Sequence, residues 1–414
     1  MNTNYQRNSS NFATVTTHLG SSEKEQSRRL TMGRIHAGMF ALAVIVGLAS
    51  ASTRLAMAQT LTVLHSFSGN PDGSTPYGGF ARDSSGNLYG TTAQGGTSNL
   101  GTVFKTTSTG TTTVLHNFTG NPDGSTPYGA LVIDSSGNLY GTTIQGGTSN
   151  SGTVFKTTST GTTTVLHSFA GNPDGSNPYG GLALDSSGNL YGTTVIGGSS
   201  NTGTVFKTTS TGTTTVLHTF TGNPDGSRPF GNLVRDSSGN LYGTTTQGGT
   251  SNLGTVFKTT STGTTTVLHS FLGNPDGSTP YYDGLVRDSS GNLYGTTIQG
   301  GSHNLGTVFK TTSTGTTTVL HSFAGNPDGS TPYAGLVADS SGNLYGTTVN
   351  GGTSNIGTVF KTTSTGTTTV LHSLKGNPDG SLPYGSLIID STGTLYGPTT
   401  QGGTSNLGTV FKLK

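Results

Sequence analysis

Three sets of recurring side chains carry whatever chemistry this chain can do. Histidines close the string Thr-Val-Leu-His seven times, at His65, His116, His167, His218, His269, His321 and His372. Aspartates occupy the motif Asn-Pro-Asp-Gly at Asp72, Asp123, Asp174, Asp225, Asp276, Asp328 and Asp379. An aromatic residue follows Pro at Tyr77, Tyr128, Tyr179, Phe230, Tyr281, Tyr333 and Tyr384. The imidazoles and carboxylates suggest metal binding. The aromatics suggest stacking against sugar rings or another apolar ligand, with Gln94, Asn99 and their equivalents as hydrogen-bond partners. The third copy has Ile196 at the Gln position. The plainer role for each aromatic is to fill the gap between neighbouring repeats.

Catalysis needs unlike groups brought together, whereas repeats supply like groups many times. The departures from repetition are therefore informative: Arg228, Tyr282, Asp283 and His303 differ from their counterparts. An Asp–His pair with a nearby Arg suits acid–base work of a hydrolase or lyase type, or an anionic ligand. Drift on exposed loops explains the same four residues. No Glu follows Glu25, and no nucleophile elbow or phosphate loop occurs in the repeats. Without Cys, disulfides and thiolate chemistry are excluded. The first 58 residues hold six of the 19 Lys and Arg and both Glu, so the remainder has a small net negative charge and no basic run. Phosphate neutralisation is thereby disfavoured, and nucleic acid is not an expected partner.

The elements that must position these residues follow from the repeat. The histidine spacing is 51 residues, except for 52 between His269 and His321, where the fifth copy reads STPYYDGL against STPYGGF in the first. Each copy contains four strand-like runs, shown in the second by ALVID (130–134), NLYGTT (138–143), GTVFKTT (152–158) and TTTVLHSF (162–169), called A to D. DSSGN and TSTG join A to B and C to D as tight turns. The hydrophobic fraction is 29% and there are 68 Gly, yet no run has a helical apolar period. Seven four-stranded antiparallel units predict an all-β, seven-bladed β-propeller over residues 59–414. The first copy opens with a D-like strand at Leu61–Phe67 and the last stops after its C-like strand, so the N-terminal strand is expected to complete the last blade. Pro398 interrupts strand B of that blade.

This architecture recasts the candidates. Histidines on the outermost strand lie around a circumference and cannot converge on one ion, so packed, hydrogen-bonded imidazoles are expected. Calcium gathers several oxygen ligands, often more than one carboxylate. Each loop brings a single Asp in a turn motif, so structural turns are favoured, with calcium a weak alternative and no cofactor expected. Both longer connections, GNPDGSTPYGG and QGGTSNLG, fall on one face of the ring, where binding is expected.

Residues 1–58 read as a leader whose core, 32–58, is a secretory signal. Arg34 and His36 precede the apolar run Met39–Ala49, and Ala56-Met57-Ala58 sets cleavage before Gln59. The alternatives are a retained anchor and a true start at Met32. The mature chain is expected to lack a membrane span and to be secreted, extracellular or periplasmic.

The strings LHSFxGNPDGSxPYGGL, DSSGNLYGTT and GGTSNLGTVFK over residues 61–414 resemble the GloVer tandem repeat of bacterial choice-of-anchor surface proteins. The resemblance implies export and often a C-terminal sorting anchor. The chain instead ends at Lys412-Leu413-Lys414, from which free secretion is expected. The family implies no established catalytic residues. The expected function is a non-catalytic binding module for a glycan, cell-envelope component or protein, with a display scaffold or an enzyme as alternatives. No oligomeric state follows from the sequence.

Overall fold

The computed structural model describes residues 59–414 apart from residue 283. The leader and its cleavage position lie outside the described residues. Among these residues the chain is all-β, with seven four-stranded antiparallel sheets arranged as the blades of a propeller. Among the described residues no helix is long and apolar enough to cross a membrane.

The first blade comprises β2 (Ala81–Arg82), β3 (Leu88–Thr92), β4 (Thr102–Thr106) and β5 (Thr112–Asn117) in spatial order. The seventh comprises β26 (Ile388–Ile389), β27 (Leu395–Thr399), β28 (Thr409–Leu413) and, as its outer strand, β1 (Leu61–Ser66). Leu61 pairs with Leu413, Val63 with Phe411 and Ser66 with Thr409, so the N-terminal strand closes the ring as the sequence predicts. Closure gives β28 a partner and leaves no open edge at that position.

The apolar core is divided among the seams between blades. At the closing seam, Phe67, Phe80, Leu88 and Phe104 of the first copy pack with Tyr396 and Val410 of the last. The next seam repeats the set with Tyr89, Val103, Phe118, Leu131, Leu139 and Phe155. Each blade therefore buries both faces, and in six of the seven strand B is buried along its whole length. This arrangement explains how so low an apolar content suffices. Much of the remaining interior is threonine whose hydroxyls bond one another, as in Thr92 to Thr102 at 2.8 Å and Thr106 to Thr112 at 2.8 Å. Paired hydroxyls avoid the 1–3 kcal/mol, roughly, that an unsatisfied buried polar group costs.

Two local features differ from regular strands. The innermost strand is only two residues long, Val132–Ile133 in the second blade, although the sequence suggests five. Preceding residues are held by the neighbouring blade: a Cβ on Gly129 would fall 2.7 Å from the Gly180 carbonyl oxygen. Glycine is needed for this backbone-to-backbone approach. Strand D carries a β-bulge, with Val103 opposite His116 but Phe104 opposite Val114, so Leu115 is the extra residue. Bulges re-aim neighbouring side chains.

Pro398 now has a physical account. It pairs with Val410 in β27, beyond the two-residue contact with β26, so a strand lies on one side of it only. In other copies a threonine here donates to the next blade, as Thr142 does to Gly180 O at 3.0 Å and Thr347 to Pro383 O at 3.0 Å. Pro398 cannot make that hydrogen bond, and its ring lies instead against Gly385 of its own blade, where an added Cβ would fall 2.4 Å from it.

Candidate functional site

The Pro-Tyr-Gly segment brings each long loop inward to the start of an A strand. The loops are tied at both ends by backbone bonds. Thr75 N donates to Leu407 O of the preceding blade at 2.9 Å, and Ala93 N donates to Thr75 O at 3.1 Å. Thr75 thus adopts a φ of 59°, in the left-handed region, and Arg228 takes the same place in the fourth blade with φ 54°. These ties, with the bridge between Ser74 and Gln94, place both longer connections on one face, as expected.

Seven aromatic side chains meet at the centre of that face and close a circle. Successive centroid distances are 4.3 Å for Tyr77–Tyr128, 5.7 Å for Tyr128–Tyr179, 4.9 Å for Tyr179–Phe230 and 4.5 Å for Phe230–Tyr281. The circuit continues at 5.4 Å for Tyr281–Tyr333, 5.0 Å for Tyr333–Tyr384 and 5.2 Å for Tyr384–Tyr77. Most pairs are edge-to-face or tilted, the arrangements favoured by ring quadrupoles. The inserted residue Tyr282, at φ 47°, sits within this circle. Its ring lies 4.7 Å from Tyr281, 5.7 Å from Phe230, 5.8 Å from Tyr179, 6.4 Å from Tyr128 and 6.5 Å from Tyr333.

Tyr282 therefore plugs the mouth of the axial channel. The cavity bordered by Tyr77, Tyr128, Tyr282, Gly129 and Asn232 has a volume of about 20 Å³, room for about one water molecule. The aromatic faces are turned mainly on one another. Burial raises the pKa of Tyr77, Tyr128, Tyr179 and Tyr384, raises that of Tyr281 to about 12, and raises that of Tyr282 further. All are neutral phenols at neutral pH.

The other candidates are placed as follows. Gln94, Gln145, Gln247, Gln299 and Gln401 are exposed on the loop face, and Ile196 is exposed in their series. Asn99 has φ 56° and its Oδ1 accepts from Gly95 N at 2.9 Å, which shapes the B–C loop. Arg228 and His303 are both exposed, and the His303 ring pairs with Ser302 Oγ at 2.9 Å. Asp283 lies outside the described residues. Among the described residues neither Arg228 nor His303 forms an ion pair with a carboxylate, and no three of His, Cys, Asp and Glu gather into a metal cluster.

Two groupings were not recognised from the sequence. The strand-D histidines and the loop aspartates pair with each other, His65 Nε2 lying 2.8 Å from Asp72 Oδ2, with the same contact in every copy. Ser68 N and Ser68 Oγ also donate to Asp72, to Oδ1 at 3.0 and 2.8 Å. The serine hydroxyl bonds the carboxylate rather than the imidazole, so the pair fastens a turn and does not form a Ser-His-Asp relay. Their common period and fixed seven-residue separation were the available signal.

The second grouping is on the hairpin face. Asp83 accepts from Asn87 N at 2.8 Å, Asn87 Nδ2 at 2.8 Å and Tyr89 OH at 3.0 Å. Burial opposes ionisation of Asp83, but these hydrogen bonds outweigh it and hold the carboxyl below its usual range. Burial, the Asp83 bond and its charge push Tyr89 up to about 12. Arg82 lies over the Tyr396 ring of the preceding blade at 5.8 Å and 3.7 Å from Asp390. Its identity varies between copies, a departure from repetition as readable as Arg228.

Known structures place the architecture among bacterial propellers. The chain is similar to an extracellular domain described as part of a hybrid two-component system from B. thetaiotaomicron, at 13% identity and a TM-score of 0.56, over 85% of this chain and 39% of that one. It is also similar to PorZ, a surface component of the type-IX secretion system of Porphyromonas gingivalis, at 15% identity and a TM-score of 0.51, over 82% of this chain and 47% of that one. The chain thus spans less than half of either protein. No curated protein matches the sequence. The repeat itself is more telling, because the family model for the Gloeobacter/Verrucomicrobia repeat matches residues 49–257 and 231–414. Matched over most of its length and through all seven blades, the chain belongs to the Gloeobacter/Verrucomicrobia repeat family.

Proposed function

We propose that this is a secreted or cell-surface repeat protein whose long-loop face binds a polysaccharide, another cell-envelope component or a protein, without catalysing a reaction. The observation that carries the reading is the closed circle of half-buried tyrosines on the loop face, accompanied by exposed glutamines. Rigid aromatic groups beside amide donors and acceptors suit the alternating apolar and hydroxylated surfaces of sugars. The two structural neighbours, an extracellular domain and a secretion-system surface component, are in keeping with export by the leader.

The test is a binding screen of residues 59–414 against cell-wall polysaccharides, with and without calcium. Saturable binding to one polymer class, weakened about tenfold in a folded Tyr128→Ala/Tyr179→Ala variant, is the expected result. A folded, β-rich sample that binds nothing saturably would overturn it. One observation favours a display scaffold as the second reading: the aromatic faces already stack on each other, and the channel beneath holds about 20 Å³.

A further inference from the structure

The last residue of strand A reaches back across a seam to the preceding blade. Arg82 does so over Tyr396, Arg235 over Tyr191 at 5.9 Å, and Arg287 over Tyr242 at 5.7 Å. The corresponding residue of the sixth blade is Ala338, facing Tyr294 of the fifth. There the arginine is missing, and a cavity of about 340 Å³ lies between Tyr294, Asp288, Ala338 and Asp339.

We propose that this cavity is a binding site for an external guanidinium group, supplied by an arginine side chain of a partner polypeptide. The other seams show how such a group is held. A guanidinium stacks on the tyrosine ring, and in the closing seam it also approaches the aspartate that the tyrosine hydroxyl contacts. Tyr294 OH donates likewise to Asp288 Oδ2 at 2.9 Å. Tyr294 already has a lysine of its own blade near its ring, Lys310 at 5.8 Å. That lysine does not exclude a second cation: Tyr242 holds Lys258 at 5.9 Å and Arg287 together.

The charge setting is also matched internally. Arg287 borders the cavity at Tyr294, and Arg235 has the same place relative to Tyr242. The seam at Tyr242 nevertheless accommodates a guanidinium, with the same flanking pair of turn aspartates, Asp236 and Asp288. Guanidinium is favoured over ammonium because its planar, weakly hydrated group both stacks and bonds a carboxylate. A cavity of this size also falls within the range of small-ligand sites.

The test uses residues 59–414 with N-acetyl-arginine amide as probe, followed by NMR or calorimetry, and the uncharged citrulline and the lysine analogues as comparisons. Saturable arginine binding is expected, with the citrulline analogue about tenfold weaker or more. Ala338→Arg should abolish it by supplying the group from within, as Arg287 does at Tyr242. A melting temperature for Ala338→Arg at or above that of the parent separates occupancy from unfolding. Absence of saturation in the parent, equal binding of citrulline, or undiminished binding in Ala338→Arg would each overturn the proposal. The site lies on the face opposite the tyrosine circle, so the outcome is independent of the polysaccharide screen.

Discussion

Tyr282 shows how one inserted residue changes a site that repetition would otherwise make uniform. Its extra position in the fifth loop places a ring inside the circle formed by the other seven aromatics. The same insertion alters an interblade contact. Thr193 and Thr296 donate to the carbonyls of Pro229 and Pro332 at 3.1 Å, whereas Thr244 Oγ1, at the seam receiving the insertion, is buried without a partner. Packing gained at the channel mouth is thus offset by an unsatisfied hydroxyl. Tyr282→Ala should lower stability by about 2 kcal/mol, less than for a fully buried aromatic. Urea unfolding of parent and variant reads this directly, and an unchanged midpoint would show that the plug contributes no packing. The insertion is visible in the sequence as STPYYDGL. Its destination is not, because a one-residue offset in a loop gives no direction.

At the scale of the element, the A–B hairpin is a pH-sensitive fastening. Asp83, Asp134, Asp185, Asp236, Asp288, Asp339 and Asp390 are all held below the ordinary carboxyl value. In each case burial acts in the opposite sense and is outweighed by hydrogen bonds from the turn. A carboxyl with a depressed folded-state pKa contributes stability that is present above its unfolded value and lost as pH falls through the folded one. The partner tyrosines act at the other limit. Tyr89, Tyr140, Tyr294 and Tyr345 are raised to about 12, by burial first and by the aspartate second. Their stabilisation is full below the unfolded tyrosine value, about 10, and is lost as pH climbs to about 12. Melting temperature against pH should therefore show a plateau between about pH 4 and 10 with a decline on each side. Tyr140→Phe and Tyr345→Phe together should reduce the alkaline decline, and an unaltered profile would rule out these phenols as its source. The hairpin was readable as DSSGN, where Asp accepts from turn amides and Gly takes positive φ. The tyrosine hydroxyl that completes the bond set, six residues on, required the register of the strands.

At the scale of the whole molecule, closure links the two ends of the propeller. β1 supplies the outer strand of the last blade, and Phe67 just beyond it is fully buried against Phe104 of the first, with ring centroids 5.1 Å apart. Removing residues 59–67 exposes the edge of β28 and opens one seam. That deletion should lower the melting temperature and produce concentration-dependent association, measured by calorimetry and light scattering. A monomer melting like the parent would mean that ring closure carries no stability.

The sequence by itself determined the seven-fold repeat, the four strands of each blade, the tight turns and the way the ends join, because each rests on local periodicity or on counting along the chain. It also indicated which loops share a face, since strand direction alternates. What only the tertiary structure decided were contacts between residues of different copies. These include the tyrosines meeting one another, Tyr282 entering the channel mouth, and Arg82, Arg235 and Arg287 crossing seams where Ala338 does not. Near-identical repeats present the same side chains at every seam. Which of them touch depends on the blade-to-blade approach set by glycine backbones such as Gly129 on Gly180, a distance that no one-dimensional pattern encodes.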